Sequence, residues 1–300
     1  MTKRGMRRLA MLGVAILIVA GAITAGFIVK NARAEKRLAD ARTQGLTYFA
    51  AEEYELALPP LAQAVSRIKD DAELLHAYAK SRSEVPLPNR AHITRAINAA
   101  KIALEISPGR EETQNLLLGL YARAGWLTEL VELSDEAIRT NPNNRDAWID
   151  RIEALRLLGR DAEAFRTAER FVAALPDDLI SHTKWAEIAF RNGLEDEAIA
   201  AHARDITSRF ESSPEFFQWL SVVERQAGNL PAAVNAARRA ASLPPTSAEQ
   251  LTRLVDWLNA LDPLVALPDN ATDDGAPTLR DLAQTIFDRG LNDPDLGQAV

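Results

Sequence analysis

EETQNLLLGLYARAGWLTELVELSDEAIRTNPNN (residues 111–144) is followed directly by RDAWIDRIEALRLLGRDAEAFRTAERFVAALPDD (residues 145–178), and laying one under the other decides the fold. Gly125 falls over Gly159 and Pro142 over Pro176. Tyr121 and Ala137 in the first segment, and Trp148 and Ala164 in the second, fill further positions of one pattern. The glycines continue outward as Gly193 and Gly228, so the four stand 34, 34 and 35 residues apart. A fixed period near 34 is the signature of a stacked helical repeat.

Each special residue has a physical reason. The first helix of a unit, helix A, must end and reverse within about three residues, which favours a residue tolerant of left-handed backbone angles. Ala57 and Ala64, Ala96 and Ala103, and Ala233 and Ala240 are each seven apart, on one face of the second helix, B, where small side chains let two backbones approach. Pro108, Pro142, Pro176 and Pro245 follow helix B, where a missing amide hydrogen stops the helix.

These residues resemble the tetratricopeptide family. The resemblance implies an all-α, right-handed α-solenoid of about six helix-turn-helix repeats, with an interaction groove lined by the A helices. The register gives units at 38–71, 72–110, 111–144, 145–178, 179–213 and 214–247, and an amphipathic helix at 248–261 that caps the stack. Gly45, Tyr48, Tyr54, Ala57 and Ala64 place the first unit. The second is about five residues longer, and VPLPN (85–89) reads as an extended turn between its helices. Asp205, where alanine is expected, and Lys69, at a terminal-proline position, are departures from the pattern.

Upstream, Leu9–Val29 contains no charged side chain, and Thr24 is its one polar residue. At about 1.5 Å per residue it reaches roughly the thickness of a bilayer core. Residues 1–8 form a basic tail with Lys3, Arg4, Arg7 and Arg8, residues 9–29 a transmembrane helix, and residues 30–37 a juxtamembrane segment. The run exceeds the apolar core of an ordinary signal peptide, which favours an uncleaved single-pass anchor; Ala32-Arg33-Ala34 is the best cleavage site for the alternative, a soluble exported adaptor. Lys30, Arg33, Lys36, Arg37 and Arg42 leave the basic count balanced across the segment, so the short leading tail decides the orientation, with the repeats on the extracytoplasmic side.

Charge narrows the partners. Residues 1–42 hold nine basic residues against two acidic ones, while the remainder carries 26 basic and 40 acidic residues. A body that acidic repels phosphate backbones, so no nucleic acid is expected. Residues 262–277 form a turn-rich acidic linker containing the sequon Asn270-Ala271-Thr272. Residues 278–300 supply a terminal helix, with Leu279, Leu282, Ala283, Ile286 and Phe287 on one face, and a tail.

No constellation for chemistry assembles: there is no phosphate loop, no HExxH helix and no nucleophile elbow, and the chain has no cysteine. The chain is expected not to be an enzyme, to carry no cofactor or metal and to take no small-molecule substrate. His182 and Trp185 share a helix face that His202 can approach, an arrangement expected of packing. Trp126, Trp148 and Trp257 read as core, with Phe216 and Phe217.

Arg123, Arg156, Arg191 and Arg225 recur 33, 35 and 34 residues apart in the last turns of successive A helices. Under the resemblance they would form a ladder gripping carboxylates of an extended peptide; equally, they answer the helix dipole, with Glu153, Glu187 and Glu224 near enough to neutralise them. Lys184, Glu187 and Trp219 complete the candidate groove. The Lys and Asn clamp by which some members hold a chaperone's acidic tail is not reproduced at Arg42, Leu46, His76, Ala77, Lys80, Asn115 and Leu116. The functional expectation is a membrane-anchored scaffold that recruits a protein or peptide partner to an envelope assembly, or serves as a non-catalytic subunit of an enzyme complex.

Overall fold

The computed structural model describes residues 30–243 together with Phe27 and Trp257. The expected membrane helix apart from Phe27, the acidic linker and the terminal helix lie outside the described residues, as does the capping helix apart from Trp257. Among the described residues there is no strand, and no helix is long and apolar enough to cross a membrane.

Between residues 30 and 243, twelve α-helices follow one another in pairs. They are α1 (30–50), α2 (Tyr54–Val65), α3 (Ala72–Glu84), α4 (Ala91–Ile106), α5 (Glu111–Ala124), α6 (Leu127–Thr140), α7 (Arg145–Leu157), α8 (Asp161–Ala174), α9 (Leu179–Arg191), α10 (Asp196–Asp205), α11 (Pro214–Gln226) and α12 (Leu230–Ser242). Odd-numbered helices are the A members of the pairs. The chain falls into two compact bodies, one ending at Ser134 and the other beginning at Asp135, so the division lies inside α6.

In the first body α3 packs against α2, α4 and α5. The alanines expected at close approaches, Ala57, Ala64, Ala96 and Ala103, are fully buried. Gly45, in the interior of α1, lies so close to Leu61 of α2 that a Cβ there would meet the Leu61 side chain at 2.7 Å. The pair Pro59-Pro60 lies inside α2, although proline normally ends a helix. The amides it removes would have bonded the carbonyls of Glu55 and Leu56, two residues on the exposed side of the helix. VPLPN does form the extended turn: Val85 leaves the helix in the β region, and Asn89 and Arg90 adopt φ of 54° and 57°.

In the second body α7 packs on α8, α8 on α9, α10 on α9 and α11, and α11 on α12. Its core gathers Phe210, Phe216, Phe217, Leu220 and Val223 with the small residues Ala200, Ala203, Ala237 and Ala240. Trp257 packs against the same core. Trp148 stacks on Phe171 at 5.7 Å and donates from Nε1 to the Pro142 carbonyl at 2.9 Å. Helix α10 is short and runs into a 3-10 turn at Thr207–Arg209, where the repeat lacks its usual alanine and terminal proline.

The ends of the A helices explain the period. Asn144, Asp178 and Ser213 each accept a backbone amide at the start of α7, α9 and α11, satisfying donors the helix itself cannot pair. At the other end Gly125, Gly159, Gly193 and Gly228 have φ between 71° and 83°. The residue after each donates its amide back to Tyr121, Leu155, Ala189 or Glu224, closing a left-handed cap. At the corresponding turn of the first pair there is no glycine, and Glu52 takes the left-handed angle itself, with φ of 59°.

Candidate functional site

The A helices of the second body carry a continuous line of alternating charge. Arg156 donates from Nε to Glu153 at 2.8 Å; Lys184, on the next A helix, donates to Glu153 at 2.9 Å and to Glu187 at 2.9 Å; Arg191 closes the line on Glu187 at 3.5 Å. Burial opposes the charge of Glu153, but Lys184 and Arg156 outweigh it and hold the carboxyl below its ordinary range. Burial likewise opposes Lys184, and Glu153 and Glu187 keep its ammonium above its ordinary range.

The expected arginine column resolves differently. Arg123 and Arg191 stand two residues before their cap glycines, whereas Arg156 and Arg225 stand three before theirs. One residue is about 100° of helix, so the four occupy two adjacent registers rather than one straight column. Exposure follows the split: Arg123 and Arg191 are exposed, Arg156 and Arg225 half-buried. Arg123, in the first body, donates to the Ser83 carbonyl at 3.1 Å at the end of α3, and its own carbonyl accepts from Arg90.

Glu224 does not serve Arg225. It is buried, accepting from Arg204 Nε at 2.7 Å and from Asn229 Nδ2 at 3.1 Å, a network that ties α10 to α11. Trp219 is half-buried at the edge of the core, its ring 6.0 Å from Phe216.

Three features had not been singled out from the sequence. Leu157 and Phe190, in the last turns of α7 and α9, remain 59% and 58% exposed beside Arg156 and Arg191. Asp150, on α7, has its carboxyl pushed up to about 6 by burial, with Asp146 one turn earlier adding to the effect. Lys184 and Glu153 are 31 residues apart, close to one period, and opposite charges offset by a period were the signal for their contact.

The histidines sit in packing positions. His182 Nε2 donates to the Pro176 carbonyl at 2.8 Å, which leaves its Nδ1 to accept from His202 Nε2 at 3.0 Å. Trp185 covers His202, with ring centroids 4.3 Å apart. In the first body His76 meets the Thr113 hydroxyl at 3.0 Å, joining α3 to α5. Among the described residues no group of three or more His, Asp or Glu is arranged to hold a metal ion.

No family model matches the chain, and no curated protein does. Solved structures do. A MamA protein, a tetratricopeptide structure, superposes with a TM-score of 0.50 at 14% identity, over 60% of this chain and 96% of that one. A second MamA structure, from AMB-1, gives 0.47 at 20% identity, over 55% and 87%. YrrB, titled a TPR protein with an unusual peptide-binding site, gives 0.41 at 18% identity, over 64% and 96%. At such identities it is the fold that is shared, and the first superposition carries it.

Proposed function

We propose that this chain, which has the fold of the tetratricopeptide solenoids, is a scaffold holding a protein or peptide partner on the A-helix face of its second body. Leu9–Val29 anchors it in a membrane, with the repeats outside the cytoplasm and the helix pairs winding right-handed. Tethering raises the local concentration of the scaffold near membrane-bound assemblies, so a modest affinity suffices.

The observation that carries the partner reading is the pair Leu157 and Phe190. Two large apolar side chains are left in water in the last turns of successive A helices, interleaved in register with the arginines: Leu157, like Arg191, stands two residues before its cap glycine, and Phe190, like Arg156, three. The charged line beside them is internally paired, so a partner carboxylate competes with Glu153 and Glu187 for Arg156, Lys184 and Arg191. This favours an amphipathic segment over a purely acidic one, with Trp219 and Arg225 supplying the continuation of the face along α11.

A photocrosslinker placed at position 190 in the full chain, in solubilised membranes, is expected to trap a discrete partner. The same group at Glu169, exposed on α8, serves as the control. Equal trapping at both positions, or none at 190, refutes the face. A reporter fused to the carboxyl end separates the two membrane orientations, and the mass of the mature amino terminus separates the anchored chain from one cleaved after Ala34.

A further inference from the structure

Residues 30–37 at the start of α1 are all exposed, and Ala41 is the first buried residue of the helix. Lys30, Arg33, Lys36 and Arg37 recur at spacings of three and four, which collects them on one side. Glu35 is two residues from both Arg33 and Arg37 and therefore points to the opposite side; Asp40 closes the stripe at its far end. No hydrogen bond or ion pair joins the four cations to another described residue. The helix runs without a break from residue 30 to residue 50, and Phe27, one turn earlier, is helical and exposed as well.

We infer that this stripe is a lipid-contact surface whose occupant is the anionic phospholipid headgroup layer. The inference rests on the membrane reading of Leu9–Val29, which adjoins the stripe with no residue between. Lys30 to Arg37 spans about 10 Å of helix rise, while a headgroup layer is roughly 5–8 Å thick and surface charge is felt for about 8–10 Å beyond it. All four cations therefore stand inside the reach of anionic lipid, whatever the tilt of the helix. Because α1 is also the A helix of the first pair, lipid contact at its start fixes the first hairpin about 17 Å further along the same rod. The acidic surface of a second copy is the competing occupant.

The test uses the full chain in nanodiscs, and the absence of native cysteine allows Ala34→Cys to carry a single nitroxide label. In discs of phosphatidylcholine with 30% phosphatidylglycerol, in low salt, the label is expected to be immobilised. That immobilisation is expected to be lost in pure phosphatidylcholine, in 0.5 M NaCl and in the K30Q/R33Q/K36Q/R37Q variant. Identical spectra in the two lipids overturn the inference while leaving the anchor standing. Immobilisation that rises with protein concentration and ignores lipid charge assigns the stripe to a second copy and overturns it too. Failure of the chain to enter discs of either composition overturns both the anchor and the inference.

Discussion

Lys184 on α9 reaches back to Glu153 on α7, Nζ to Oε1 at 2.9 Å, and so couples two successive repeats through their A helices. Both side chains are about a quarter exposed, which places the pair between a solvated surface bridge and a buried one. A double-mutant cycle of Lys184→Ala and Glu153→Ala, read by urea unfolding, should give a coupling of about 0.5–1 kcal/mol. Arg156→Glu with Arg191→Glu should leave helicity intact by circular dichroism while weakening capture, at the position-190 crosslinker, of an amphipathic partner segment bearing carboxylates. Unchanged capture would retire these cations as partner contacts.

Gly45 and Gly125 should respond to alanine for different reasons. At Gly45 the added methyl strikes Leu61, which is fully buried, so the ordinary helix gain from glycine to alanine reverses into a loss of roughly 1–3 kcal/mol. At Gly125 there is open space, and the cost comes from φ of 75° alone, about 1–2 kcal/mol. Glu52→Gly runs the other way: relieving φ of 59° should raise the thermal midpoint. A lower midpoint for that variant would show that Glu52 contributes something beyond its backbone.

The His182–His202 pair makes stability depend on pH. Burial lowers the pKa of both rings; His182 is lowered further by Arg209 against the Pro176 carbonyl, Asp178 and Asp177, and His202 by His182 against Asp205. Both are lowered in the fold, so the unfolded chain binds more protons below its ordinary value near 6.5. Stability is therefore full above that value and is lost as pH falls beneath it. In an Asp150→Asn background, which removes an opposing titration, denaturant unfolding should give a lower stability at pH 5 than at pH 7, with His202→Gln flattening the slope.

Asp150 should act in the opposite sense. Its carboxyl, raised to about 6, penalises the fold when ionised, a penalty present above that pH and relieved as pH falls toward the unfolded value. Asp150→Asn is expected to stabilise the protein at pH 7 by on the order of 1–2 kcal/mol after solvent screening is allowed for. Carbon-13 titration of the Asp150 carboxyl checks the premise directly, since a midpoint near 4 would remove it.

The period was legible in the sequence because backbone constraints recur with it. Left-handed caps favour glycine, as at Gly125, Gly159, Gly193 and Gly228, and close helix approaches favour alanine, as at Ala57, Ala64, Ala96 and Ala103, in every unit that carries them. The face was less legible. Whether Arg156 and Arg191 share a column turns on one residue of register against the cap. Whether Glu224 serves Arg225 or Arg204 turns on which way a long side chain leaves a helix whose neighbour is twenty residues away. Pro59-Pro60 shows the converse: a strong local signal for ending a helix yields to the packing of Ala57, Leu58, Leu61 and Ala64 on the inner side of α2.

The turn at residues 85–89 lengthens one hairpin, and from Gly125 onward the interval settles at 34 and 35 residues. Surplus chain in a linear array is absorbed where it occurs, because each hairpin is fitted to its immediate neighbours and to nothing remote. That bend is accordingly a natural graft point: a compact reporter spliced between Leu87 and Pro88 would hang off the hairpin, giving a handle on the folded chain that leaves both of its termini untouched.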